Sequence, residues 1–266
     1  MTFTSAFSNN FRFQQLKRVG LSDTTCRMLH DIVSIRSYEA ADVIVKKGSN
    51  FDHWHLVIEG LVASSVSISP TKLAPINIYG EGAWFGEQSI LTSQPSFEDY
   101  VCLTSTEVMR LPASVMRKLL DTETEFPHYV SRNIAWKFQK SSEMLMLMKF
   151  CNPAVRVVLG LAQVGEALAQ SAGNQASGKS DAGVEIRVKQ EILAALCGVS
   201  RTLFSECILK LESSGWLRLS YGKLRLCKMN AWLELTKSHR INRVTDPNSS
   251  FDQLLYQLGG SHPVPA

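Results

Sequence analysis

Residues 190–211 read QEILAALCGVSRTLFSECILKL, and this stretch decides the fold. Apolar side chains recur at Ile192, Ala195, Leu196 and Val199, then at Leu203, Phe204, Cys207, Ile208 and Leu211, giving two helical stripes interrupted at Cys197-Gly198-Val199. The pattern predicts two short helices joined by a tight turn. Ala194 supplies the small side chain that crossing helices need, Gly198 the freedom to take positive φ, and Ser200 a cap for the second helix. Together these make a helix-turn-helix pattern. The second helix, opening at about Arg201, would turn Arg201, Thr202, Ser205 and Glu206 outward, where they can reach base edges. An ordinary helical hairpin in a core is the alternative, but it has no need of a turn Gly, a cap and an outward Arg in one register.

Outward from this stretch, two alternating runs follow Gly215: Trp216 to Leu219 and Leu224 to Cys227, joined by Ser-Tyr-Gly-Lys, which reads as a β-hairpin wing. Upstream, Val184 to Arg187 can add a third strand. The segment reads as a winged helix. From Ile186 to Lys228 there are 8 Lys and Arg against 3 Asp and Glu, a local charge of +5, so the rest of the +4 chain sums to −1. Positive charge is therefore gathered where a phosphate backbone would lie, with Lys189, Lys223 and Arg225 as candidate phosphate contacts.

At 266 residues the chain can build two domains, each with its own core. Its 45% hydrophobic and 20% charged residues are those of a globular protein; no run is as long as a membrane span, and MTFTSAFSNNF lacks a signal pattern. A cytoplasmic location and no membrane partner are expected. The six cysteines are scattered without a Cys-x-x-Cys pair, which argues against zinc, iron–sulfur or disulfide chemistry. No Ser/His/Asp order, Walker loop or dinucleotide fingerprint appears, and the chain is not expected to be an enzyme.

Before the reading segment, residues 1–30 look like a loose start followed by a short helix from Asp23 to Ile32. From Ile35 to Leu111 the period shifts to two, with strands expected at 42–46, 55–58, 61–68, 74–78, 100–103 and 107–111. Such spacing predicts an antiparallel sandwich or jelly roll, and a roll of about eight strands fits this length. Ala113 to Leu120 should be helical. From about Pro127 to Phe150, Val130, Ile134, Phe138, Ser141, Leu145 and Met148 fall at spacings of three and four, a narrow stripe suited to pairing two copies of one helix. A helix laid against the jelly roll is the alternative. Another helix begins at Val155, Gln170 to Gly183 reads as a mobile loop, and a last helix is expected around Ala231 to Leu235. The fold class is thus α+β: an N-terminal double-stranded β-helix or jelly roll (15–126), a long dimerisation helix (127–151), a C-terminal winged helix-turn-helix (152–235), and an extension (236–266) of unknown role.

A jelly roll, a long helix and a winged helix in that order resemble the cyclic-AMP receptor/FNR family of bacterial transcription regulators. The resemblance covers about residues 15–230. It rests on Leu196-Cys-Gly-Val-Ser-Arg201, on Leu209-Lys-Leu-Glu212-Ser-Ser-Gly215, and on Trp84-Phe85-Gly86-Glu87-Gln88-Ser89-Ile90-Leu91…Pro95, which looks like the family's phosphate cassette. It implies a homodimer reading an inverted repeat in double-stranded DNA, with RNA polymerase as a further partner. It also implies an effector pocket of Gly86, Glu87, Gln88, Ser96, Phe97, Ser141 and Ser142, the two serines lying where relatives hydrogen-bond a purine. The cassette departs from the family in having Ser96 and Phe97 where an Arg normally pairs with a cyclic phosphate. In the reading helix, Thr202 and Glu206 replace an acidic and a basic residue. No cofactor is expected and the effector is left open; without that Arg, cyclic AMP and cyclic GMP should bind weakly or not at all, and Phe97 would also make the pocket floor more apolar.

Other constellations compete. His53-x-His55 with Glu59 matches the metal motif of cupins, which share the jelly roll, and would make the chain a metalloenzyme. A cyclic-nucleotide-responsive regulator is the other alternative. Met144-Leu-Met-Leu-Met148 reads as flexible filler or as a soft-metal site.

Overall fold

A computed structural model describes residues 3–69, 72–172 and 183–241. The chain divides into two compact units, residues 1–62 with 81–140 and residues 63–80 with 141–266. The expected loose start is instead a helix, α1 (Phe3–Arg18), followed by α2 (Asp23–Leu29). Leu16 and Val19, both 0% exposed, anchor its end, and the stripe they continue was obscured by the polar Gln15 that shares their buried face. Ser22 caps α2, accepting a hydrogen bond from the Thr25 N–H at 3.2 Å.

Among the described residues eight strands form the roll: β1 (Ser34–Tyr38), β2 (Val43–Val45), β3 (His53–Glu59), β4 (Val62–Ser69), β5 (Lys72–Tyr79), β6 (Trp84–Phe85), β7 (Asp99–Cys102) and β8 (Thr106–Pro112). They lie in two sheets, ordered β1-β8-β3-β6 and β2-β7-β4-β5. The two strands that the alternation did not resolve are β1, which is mostly exposed, and β6, which is only two residues long. β3 is buried over both faces. Trp54 stacks on Trp84 at 3.8 Å to one side, while His55, Phe85 and Tyr100 stack at 5.0 and 4.9 Å in a second group edged by Phe51. Gly86 must be glycine: its φ is +100° and a Cβ there would come 2.5 Å from the Phe51 ring.

After β6 comes the short α3 (Glu87–Thr92), and after β8 the helix α4 (Ala113–Thr122). Then α5 runs 26 residues from Glu125 to Phe150, starting two residues before Pro127, which the first turn of a helix accepts. Phe126 and Val130 are buried, Phe126 edge-on to Trp54. Val130 therefore belongs to the core of the first unit and not to the exposed stripe expected of it. Ile134, Phe138 and Leu145 are exposed, Phe138 by 73%. Met148 is committed within its own unit, accepting from the Arg156 Nη1 at 3.4 Å and standing against Gly198.

In the second unit α6 (Pro153–Ala172) is nearly all core along Val157, Leu161 and Val164. The polar stretch from Gln170 is helical as far as Ala172, and residues 173–182 lie outside the described residues. β9 (Val184–Ile186) then leads to α7 (Gln190–Leu196) and α8 (Arg201–Ser213), inclined at 101°. The strands β10 (Leu217–Ser220) and β11 (Lys223–Leu226) form the hairpin, and β9 pairs on the far edge of β11, giving the order β10-β11-β9. α9 (Met229–Ile241) closes the unit through buried Trp232, whose indole donates to the Cys227 carbonyl at 2.9 Å. The extension beyond Ile241 lies outside the described residues. Among the described residues no single helix is long and apolar enough to cross a membrane.

Candidate functional site

The turn between α7 and α8 is built as its residues require. Gly198 sits at φ +62°; its N–H donates to the Ala195 carbonyl and the Val199 N–H to that of Ala194, each at 3.0 Å, which closes α7. Ser200 caps α8, its hydroxyl accepting from the Leu203 N–H at 3.2 Å. Ala194 is buried against the crossing. Phe204, Cys207, Ile208 and Leu211 face inward, and Arg201, Thr202 and Glu206 are exposed while Ser205 is half-buried. At about 100° per residue, Thr202, Glu206, Leu209 and Ser213 centre the outward face, with Arg201 and Ser205 on its flank. All four expected reading residues thus share one exposed surface.

The wing brings its basic residues close together. Arg218 and Arg225 are paired positions of the hairpin, and Arg225 faces Glu185 across β9. One carboxylate, missed in the sequence, holds two of the cations: Glu185 accepts from Arg187 at 2.6 Å and from Lys223 at 3.0 Å. Those hydrogen bonds, Arg187 first, hold its carboxyl below the usual range. Lys223 is therefore engaged in the protein itself. Lys189 stands exposed at the N-terminus of α7.

The cassette differs from its expectation in three respects. Glu87 is 4% exposed and already held: the Trp54 indole donates to Oε2 at 3.1 Å and the Lys137 ammonium to Oε1 at 2.5 Å. Lys137 also donates to the Trp84 carbonyl at 2.5 Å. Burial pulls this ammonium below the ordinary lysine value, against Glu87 and, further off, Glu98. Second, Phe97 does not make an apolar floor, because it is 55% exposed. The buried residues of that loop are Ser96, whose hydroxyl donates to the Glu98 carbonyl at 2.6 Å, and Glu98 itself, which accepts from Tyr100 at 3.1 Å. Third, Gln88, expected to line the pocket, is exposed on a helix of only six residues. Ser141 is exposed and Ser142 half-buried on the part of α5 that belongs to the second unit, and the helix residue that completes the cassette is Lys137. Lys137 lies off the apolar stripe, so the spacing that revealed α5 did not reveal it.

The metal reading of the roll fails on its residues. His55 is buried in the aromatic stack, its pKa pushed down to about 3 by burial and by Arg110, and Arg110 donates to His53 Nδ1 at 3.0 Å. A fixed cation beside both rings opposes a second one. Glu59 pairs across to Glu107, away from them, and among the described residues no group of three or more His, Cys, Asp or Glu stands together. In the Met144–Met148 run, Leu147 is core and Met146 is 44% exposed.

Residues 35–123 match the model of the cyclic nucleotide-binding domain. The chain is 24% identical over 176 residues to the CRP-like cAMP-activated global transcriptional regulator of Mycobacterium tuberculosis, covering 66% of this chain and 76% of that one. Among solved structures, FixK2 from Bradyrhizobium japonicum superposes with a TM-score of 0.62 at 16% identity, over 77% of this chain and 97% of its own. A CRP/FNR-family transcriptional regulator from Thermus thermophilus gives 0.58 at 21%, over 77% and 99%. The chain is thus similar to transcription regulators of the cyclic-AMP receptor/FNR family, and residues 35–123 are its cyclic nucleotide-binding domain. Its cassette sets the buried carboxylate of Glu87 on a lysine that comes from α5, with a second buried carboxylate, Glu98, acting on that lysine from further off.

Proposed function

We propose that the protein is a homodimeric, sequence-specific DNA-binding transcription regulator, its C-terminal unit a winged helix-turn-helix. The observation that carries this is the outward face of α8, with Arg201, Thr202 and Glu206 exposed on a helix set at 101° to its neighbour and followed by a basic wing. Arg201 is suited to a guanine edge and Glu206 to a cytosine amino group, while Lys189, Arg225 and Lys223 serve the phosphates. The exposed Ile134, Phe138 and Leu145 support pairing of α5 with its copy, so that two reading helices meet half-sites about 34–36 Å apart. Such a regulator works in the cytoplasm with RNA polymerase as its partner.

The test is selection of binding sites from random duplexes. The wild type should yield an inverted repeat, and Arg201→Ala should relax one position by about 1–3 kcal/mol of discrimination. An unchanged preferred site and affinity for the variant would remove Arg201 from this role.

For the sensor, we infer that cyclic AMP and cyclic GMP bind weakly or not at all. A cyclic phosphate would meet Glu98 and Glu87, a cation already engaged by Glu87 and the Trp84 carbonyl, and no Arg at Ser96 or Phe97. Loss of a bidentate charged pair alone lowers affinity about ten- to a hundredfold. An Arg at position 96 would not restore it, since Ser96 is buried and Glu98 and Lys137 remain. Calorimetry giving micromolar cyclic-AMP affinity, with a matching gain in DNA affinity, would overturn this.

A further inference from the structure

Leu209 stands 58% exposed near the centre of the α8 outward face. Its neighbours there are polar: Thr202 and Glu206 on the N-terminal side, Lys210 beside it and Ser213 beyond. The apolar residues of α8 that the core needs, Phe204, Cys207, Ile208 and Leu211, lie on the opposite side. Leu209 therefore contributes nothing to the core, and a lone leucine ringed by polar groups offers too little apolar surface for a protein partner.

We propose that Leu209 is a specificity-determining residue that reads the C5-methyl group of a thymine. The proposal rests on the DNA-binding reading above. Only one base edge in the major groove presents an apolar group, and it is that of thymine. The spacing is suitable: along a helix rising about 1.5 Å per residue, Leu209 lies about 10 Å from Thr202, or three base-pair steps of about 3.4 Å. Glu206 falls between them, about 4.5 Å before Leu209. A half-site read by this face should carry its thymine one to two steps beyond the base read by Glu206. Contact between the isobutyl group and the methyl removes both from water, which amounts to about fourfold in affinity per half-site.

The test uses the full-length protein and the inverted repeat recovered by selection. Each thymine of the half-site is replaced in turn by deoxyuridine, which deletes the methyl and keeps every hydrogen-bonding group. One replacement should lower wild-type affinity about fourfold, and about fifteenfold when made in both half-sites. Leu209→Ala, a surface change expected to leave the circular dichroism and melting of the protein unaltered, should bind the thymine site as the wild type binds the uracil one and be indifferent to the replacement. A uracil effect that persists in Leu209→Ala assigns the methyl to another residue and overturns the proposal. So does wild-type indifference to uracil at every position, including the case in which Leu209→Ala weakens binding to all sequences through a sugar contact. Failure of the wild type to select any site defeats the DNA-binding reading itself, an outcome distinct from these.

Discussion

In the cassette, Glu87 is 4% exposed and bound by Trp54 and Lys137; on α8, Arg201, Thr202 and Glu206 stand in solvent. Both regions carry the polar residues that a binding site needs. The cassette spends its own on the protein, a carboxylate and an ammonium that the fold brings together beneath Trp54 and Trp84. The reading face keeps its own outward because the cap at Ser200 and the left-handed turn at Gly198 fix a helix whose opposite side carries its apolar residues, Leu209 excepted. The two places differ in what their residues are free to do: the turn and cap leave polar side chains in solvent, whereas the charges of the cassette are satisfied within it.

The largest expected effect would break this contrast at the cassette. Removing one member of a buried ion pair leaves an uncompensated charge and costs about 3–5 kcal/mol, while removing both is far cheaper. Lys137→Met should lower stability in urea by that amount, and Glu87→Gln added to it should recover most of the loss, because Trp54 can still donate to the amide oxygen. A loss below about 1 kcal/mol for Lys137→Met would mean that water screens the pair and that the cassette is open to ligand.

The next effect concerns the interior behind the cassette. His55, stacked on Phe85 with its buried Nδ1 without a hydrogen-bond partner, has its pKa pushed down to about 3 from 6.5. A histidine with a depressed folded pKa binds its proton less readily folded than unfolded, so its contribution is complete above the unfolded value near 6.5 and is lost as pH falls toward 3. Each unit in that window costs about 1.4 kcal/mol, or about 2 kcal/mol between pH 6.5 and 5. His55→Phe, which keeps a ring in the stack, should remove that part of the acid sensitivity, measured as the difference between the two proteins in urea at both pH values. Parallel losses in the two would place the acid sensitivity elsewhere.

Much of the architecture was legible because period and punctuation are local. The α7–α8 turn, the hairpin and six of the eight strands follow from alternation and glycine placement. α1 was missed because Gln15 interrupts its stripe, and Val130 was placed on the dimer stripe because spacing cannot tell which end of a long helix a core will cover. The pairings of the candidate site were not legible: Lys137 meets Glu87 across 50 residues, and Glu185 meets Lys223 across 38. Phe97 does not take the inward place expected of it, because the loop after Pro95 turns this aromatic residue outward and the carboxylate of Glu98, for which the sequence suggested no role, inward. Adjacent residues in a loop have no period from which their directions can be read.

The smallest effect sharpens the comparison within the reading surface. Its wing is not wholly open, since Glu185 holds both Arg187 and Lys223. To touch phosphate, Lys223 must leave that carboxylate, and the ammonium gains less than one with no prior partner. Lys223→Ala should therefore reduce the dependence of affinity on salt by less than the slope of about 0.9 expected for a full phosphate contact. Glu185→Gln should do the opposite, strengthening binding severalfold on every sequence alike and steepening the salt slope by up to about 0.9 per phosphate newly engaged. Because the carboxyl titrates below its usual range, the wild type should show no such gain on mild acidification. Binding isotherms across a salt series on the selected site and on a scrambled duplex measure both variants. An unchanged slope for Glu185→Gln would show that Arg187 and Lys223 lie outside the reach of the backbone, and would leave Lys189 and Arg225 as the phosphate contacts of this surface.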